Sequence, residues 1–143
     1  MKLAVITGGG RGIGAAISES LAADGYRILL TYNNDSQSAE SVISKLRQDS
    51  VDCVAVKVDC GRTDEVFILA DHPWMQDGVD ALVLNHGMYH RSPARELTMN
   101  DLQETMNVNF RGAVAVYTAL SKYLSTKASI VAIGSQLGIR GSP

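Results

Sequence analysis

The chain has 143 residues, 45% of them apolar and 20% charged. This is the size and balance of one globular domain, and it excludes collagen-like, mucin-like and wholly disordered chains. Thirteen Lys plus Arg oppose fifteen Asp plus Glu, a net charge of −2, with no basic cluster of the kind that wraps nucleic acid.

Residues 3–7 form a short apolar run that predicts a buried strand. Ile13, Ile17 and Leu21 then recur at helical spacing, and Gly25 stands where a helix end is capped. Residues 27–31 predict a second strand. A loop at residues 33–36 carries helix-starting chemistry, and Ala39, Val42, Ile43 and Leu46 form the apolar stripe of a second helix. The β-branched stretch 51–58 predicts a third strand. A short helix is expected over residues 63–70, the stretch 71–80 has no decisive pattern, and residues 81–84 predict a fourth strand. After a loop at 85–97, Thr98 and Asp101 have the spacing of a capping box. A long helix to about Tyr123 is expected to bury Leu102, Met106, Phe110, Val114, Tyr117 and Leu120. Residues 129–133 predict a fifth strand, and a glycine-rich loop runs from Gly134 to Pro143. Strand–helix alternation implies an α/β fold, a doubly wound parallel sheet of about five strands. Right-handed crossovers then gather the loops after strands 1, 3, 4 and 5 at one edge, where function is expected.

Cys53 and Cys60 fit neither a CxxC nor a zinc pattern, the three histidines are scattered, and no metal site is implied. Two reduced thiols in a cytoplasmic protein are expected. No apolar run approaches the ~20 residues of a membrane span, and residues 3–6 are too short for a leader.

Thr7-Gly8-Gly9-Gly10-Arg11-Gly12-Ile13-Gly14 joins the first strand to the first helix. Gly8 suits a tight turn leaving the strand. Gly12 lets main chain approach a diphosphate, and Gly14 permits close packing in the first helical turn. The helix N-terminus offers free N–H groups and a positive dipole end. The spacing is not that of an NTPase, because no Gly-Lys-Ser/Thr ending follows.

This loop resembles the cofactor loop of the short-chain dehydrogenases/reductases, and later segments match that family in order and spacing. Asp59, ending the third strand, resembles its adenine-holding aspartate. Leu84-Asn85-His86-Gly87 resembles its Asn-Asn-Ala-Gly motif, Asn107 to Gly112 its asparagine-bearing helix, and Ile133-Gly134-Ser135 the segment with its active-site serine. The nearest flavour is that of 3-oxoacyl-carrier-protein reductases. The resemblance implies a Rossmann fold spanning residues 1–143. It implies cofactor contacts from Gly8, Gly10, Arg11, Gly12, Ile13, Gly14, Asn33, Asp59, Cys60, Asn85, Gly87 and Val108. It also implies that Ser135 bonds the reacting oxygen and that Asn109 holds a water for proton relay. Leu84 and His86 depart from the motif, and His86 is expected to fill a slightly enlarged pocket rather than line the crevice.

An NAD site usually carries an acidic residue at the end of strand 2. Here that place holds Tyr32, then Asn33, with Asp35 farther on in the loop. With Arg11 placed for a 2′-phosphate, NADP(H) is expected over NAD(H). The implied reaction is hydride transfer between nicotinamide and a small carbonyl or alcohol substrate. The alternative is a non-catalytic dinucleotide-binding protein of the same fold, and a methyltransferase is disfavoured by the missing acid after strand 2.

The family's catalytic Tyr-x-x-x-Lys is expected beyond Pro143, which makes the chain an N-terminal portion, inactive alone. Tyr123 and Lys127 have that spacing, but they precede Ser135. Tyr123 ends a helix about 21 Å along from Asn109, at the opposite sheet edge. The resemblance further implies a homo-oligomer paired through the long helix, with strand 5 as an apolar edge.

Overall fold

Alternate residues of a strand face opposite ways, and here both faces are apolar. In the computed structural model, which describes residues 1–140, β1 (Lys2–Ile6) sends Leu3 and Val5 into one apolar cluster and Ala4 and Ile6 into another. β2 (Tyr26–Tyr32) repeats this with Leu29 on one side and Ile28 and Leu30 on the other. β3 (Cys53–Lys57), β4 (Val79–Leu84) and β5 (Leu124–Ala132) complete one sheet, ordered β3-β2-β1-β4-β5 and parallel throughout. A sheet buried on both faces needs helices on both, which is the doubly wound Rossmann arrangement.

One face is covered by α1 (Gly12–Ala23) and α2 (Ser36–Gln48). The α2 stripe of Ala39, Val42, Ile43 and Leu46 is buried as its periodicity predicts. In α1 the innermost residues are Gly14, Ser18 and Ala22, not the expected Ile13, Ile17 and Leu21. The helix approaches the sheet so closely that only small residues fit beneath it, and Ile13 is left exposed. Gly25, at φ +83°, lies just past the C-cap of α1, as expected.

The other face is covered by α3 (Thr63–Val66) and by one continuous helical segment, residues 99–120. That segment comprises α4 (Met99–Met106), a π-helical stretch (Asn107–Gly112) and α5 (Ala113–Leu120). Its N-terminus carries the expected capping box: the Thr98 hydroxyl accepts from the Asp101 N–H, and the Asp101 carboxylate accepts from the Thr98 N–H. The expected buried stripe is corrected. Only Leu120 is buried; Leu102, Met106, Phe110, Val114 and Tyr117 face outward. The inward face is Gly112, Ala115, Val116, Ala119 and Leu120. A 3.6-residue period marks a stripe but not its direction, and here the large side chains could not fit between helix and sheet.

The patternless stretch 71–80 is short 3₁₀ structure pinned to the sheet by a side chain. Two 3₁₀ turns, Phe67–Asp71 and Pro73–Asp77, lead into β4. Buried Arg27 of β2 reaches across to Asp77 at 2.7 Å and lies over the Trp74 ring. β5 starts at Leu124, earlier than expected, directly after a 3₁₀ turn at Ser121–Tyr123. It is an edge strand, as expected, with Ile130 and Val131 exposed. The end of the glycine-rich loop, residues 141–143, lies outside the described residues.

Candidate functional site

A cavity of about 920 Å³ opens where β1 to β4 end. Its floor is the glycine loop. Gly8, leaving β1, has φ +64°, and its N–H donates to the Thr31 hydroxyl at 3.2 Å. Gly9 donates its N–H to the Thr31 carbonyl at 3.0 Å. Gly14 sits against the Gly8 carbonyl oxygen, so any side chain there would collide with main chain and with the Asn85 amide. Gly12, at φ +52°, has nothing within 4 Å of where a Cβ would stand; its main chain is bare toward the cavity.

Asn85, just past β4, fastens this loop from the side. Its Nδ2 donates to the Thr7 and Gly8 carbonyls at 3.2 and 3.0 Å. The buried Thr7 hydroxyl accepts from the Asn85 and His86 N–H groups. Every one of Gly8, Gly10, Arg11, Gly12, Ile13, Gly14, Asn33, Asp59, Cys60, Asn85, Gly87 and Val108 lines the cavity.

His86 and Asp59 differ from expectation. His86 lines the cavity and does more than fill space: its Nδ1 lies 2.7 Å from the Thr7 hydroxyl and its Nε2 3.1 Å from the Val108 carbonyl. Burial pulls its pKa below the usual imidazole value, which keeps the ring neutral. Asp35 lies in the loop, as expected, where it caps α2 and also stands on the cavity wall. Its carboxylate accepts from the Ser38 N–H and hydroxyl, which lower its pKa, and the Arg11 charge adds a smaller effect of the same sign. A 2′-phosphate near Arg11 would therefore meet one like charge. Asp59 lies two residues past the end of β3, not at it, and its Oδ1 accepts from the Gly61 N–H at 2.8 Å.

Thr31, Asn34, Arg62, Met88, Glu104 and Asn107 also line the cavity without having been singled out. Their types are ordinary, and only the fold gathers them. Burial first, then Asp59, pushes the Cys60 thiol up to about 12, so it stays protonated and is no nucleophile.

The family model for short chain dehydrogenases matches residues 2–143. The chain belongs to that family. It is 32% identical over 135 residues to an oxidoreductase of Methylorubrum extorquens, covering 94% of this chain and 54% of that protein. It is 28% identical over 144 residues to a versicolorin reductase of Emericella nidulans, covering 99% and 54%. A short chain dehydrogenase from Burkholderia cenocepacia, solved in complex with NADP, superposes with a TM-score of 0.93 at 33% identity, covering 99% of this chain and 58% of that one. A blue fluorescent protein from a metagenomic library, solved with NADPH, gives 0.91 at 34%, covering 99% and 59%. The chain spans about half the length of the curated relatives it matches.

Within that family frame, neither of the two expected catalytic positions is among the residues lining the cavity. Ser135 follows β5, whose end is joined to β4 by the Ile133 N–H donating to the Leu84 carbonyl at 2.9 Å. Asn109 lies in the π-helical stretch. Its Oδ1 accepts from the Met88 N–H at 2.8 Å and its Nδ2 donates to the Met88 carbonyl at 2.9 Å. One amide N–H and one lone pair remain for a water. Tyr123 and Lys127 are excluded from the site, as expected. Tyr123 borders a separate hollow with Met75, Gly78 and Leu124, where β4 and β5 begin.

No helix among the described residues is long and apolar enough to cross a membrane.

Proposed function

We propose that the chain is the dinucleotide half of an NADP(H)-dependent oxidoreductase acting on a small carbonyl or alcohol. The observation that carries this is the side-chain-free cradle: Gly8 and Gly14 packed main chain to main chain, Gly12 bare, and α1 opening on the same cavity with no acidic residue in its first turn. A helix start leaves N–H groups without intrahelical partners, and their natural ligand is an anion.

A diphosphate would take the N–H groups of Gly12 and Ile13. Arg11 would pair with a 2′-phosphate, Asp59, Asn33 and Val108, whose side chain stands against Gly61, would hold the adenosine end, and Gly87 would border the nicotinamide. The bound dinucleotide supplies or accepts the hydride. Ser135 would donate its hydroxyl hydrogen to the carbonyl oxygen and orient it. Asn109 would fix the Met88 main chain and hold a water with its remaining amide hydrogen. The outward stripe Leu102, Met106, Phe110, Val114 and Tyr117 supports pairing of two copies.

The second reading is a dinucleotide binder without catalysis. NADPH oxidation with ketone substrates by a longer protein that contains this chain separates the two readings, because both leave these 143 residues alone inactive.

The binding claim is tested on Arg11→Ala. A hydrogen bond to a charged group is worth about 1.5–3 kcal/mol, so the exposed Arg11 should contribute at the lower end of that range. The ratio of NADPH to NADH affinity should fall about tenfold, with thermal stability unchanged. An unchanged ratio removes Arg11 from the site, and absent binding of either nucleotide to the folded wild type removes the reading.

A further inference from the structure

His86 stands where the family motif has alanine, and its two ring nitrogens join two separate parts of the cavity. A main-chain carbonyl only accepts, so the nitrogen facing Val108 O at 3.1 Å must carry the hydrogen. The ring is then the Nε2–H tautomer, and bare Nδ1 accepts from the Thr7 hydroxyl at 2.7 Å. The Thr7 oxygen already accepts from the Asn85 and His86 N–H groups; its one hydrogen has two acceptors in reach, the imidazole at 2.7 Å and the Val83 carbonyl at 3.3 Å, and the ring is the shorter contact.

Val108 belongs to the π-helical stretch Asn107–Gly112. Such a stretch departs from the regular α-helical ladder, and Val108 O takes a hydrogen from outside the helix. Gly112 makes the room: a Cβ there would strike the Cys60 carbonyl oxygen and stand 3.0 Å from His86 Nε2. The second tie, Asn109 to Met88, lies close by. The loop after β4 is thus fastened to the π-helical stretch at two points, His86 to Val108 and Met88 to Asn109.

We propose that His86 is a positioning residue that sets the cavity wall formed by Asn107 and Val108, which stands against Gly61 beside Asp59, relative to the glycine loop, and so tunes affinity for the adenosine half of a bound dinucleotide. This rests on the dinucleotide reading above. Alanine at this position reaches neither Thr7 nor Val108. Glutamine retains a donor near the place of Nε2, whereas asparagine retains only an acceptor near that of Nδ1.

The test measures NADPH and adenosine 2′,5′-bisphosphate affinities for the wild type, His86→Gln, His86→Asn and His86→Ala, with a thermal melt of each. Long-range ¹H–¹⁵N spectra of the wild-type ring accompany them. The expected result is an Nε2–H ring, NADPH affinity within about threefold for His86→Gln, and losses of tenfold or more for His86→Asn and His86→Ala. Bisphosphate affinity should follow NADPH affinity in all three, whereas melting temperature should not fall in step. A space-filling role predicts otherwise: affinities falling in step with lost melting temperature, or glutamine no better than alanine. Either outcome overturns the proposal, as does an Nδ1–H ring. If the folded wild type binds neither ligand, the dinucleotide reading falls and with it the tuning of affinity. The ring tautomer then decides whether the Thr7–His86–Val108 strut stands.

Discussion

The cavity has two unlike walls. On the β1–α1 side, main chain meets main chain, and what matters is the absence of side chains at Gly8, Gly12 and Gly14. On the helical side, residues 85–88 meet residues 107–112, and the contacts are side chain to main chain: His86 to Val108 and Asn109 to Met88. The first wall tolerates almost no addition. The second depends on hydrogen bonds that particular substitutions keep or remove. A site can thus be built by subtraction on one side and by reach on the other, and only the first leaves a plain trace in the sequence.

The sharpest contrast lies within the helical wall itself. Leu120 is fully buried and Phe110 is 60% exposed, although both belong to the same predicted stripe. Leu120→Ala should cost about 2–5 kcal/mol of unfolding free energy. Phe110→Ala should change monomer stability by less than about 0.5 kcal/mol. Urea denaturation of both at low concentration checks this, and equal costs would mean that the stripe faces inward after all.

Next comes the glycine wall. Gly14→Ala forces a methyl group against the Gly8 carbonyl and the Asn85 amide. Overpacking of this kind costs about 1–3 kcal/mol and should abolish dinucleotide binding. Gly12→Ala meets no neighbour, only the strain of φ +52°, roughly 1–2 kcal/mol. Chemical denaturation and NADPH titration of the pair separate collision from conformation. A harmless Gly14→Ala would contradict the close packing.

A smaller effect concerns acid. Burial lowers the pKa of both His86 and His72, the latter with a smaller contribution from Arg27. The unfolded chain therefore binds more protons than the folded one just below the ordinary imidazole value near 6.5. In that window stability falls as pH falls, down to the folded-state pKa values, and the loss levels off below them. His86→Gln should flatten part of the slope in a melting series from pH 7 to 5, and an unchanged slope would assign it elsewhere.

The strand–helix alternation, both faces of β1 and β2, the α2 stripe and the capping box at Thr98 could all be read from the residues alone, because each is local. The glycine loop could too, since its chemistry sits in eight consecutive positions. Three features could not. The direction of the 99–120 stripe depends on how closely Gly112 and Ala115 approach the sheet. The early start of β5 lies in Leu124 to Lys127, where no period of two marks a strand. The bonds of His86 arise only when β1, β4 and the π-helical stretch converge at one edge.

The account depends most on where the phosphates settle. Main-chain amide spectra of the folded chain, recorded while NADPH is added, read this residue by residue. The account predicts the largest shifts at Gly10, Arg11, Gly12, Ile13 and Gly14, with smaller ones near Asp59 and Gly87. Saturating NADPH that leaves those five amides unmoved, or shifts instead the hollow around Met75 and Tyr123, would contradict it.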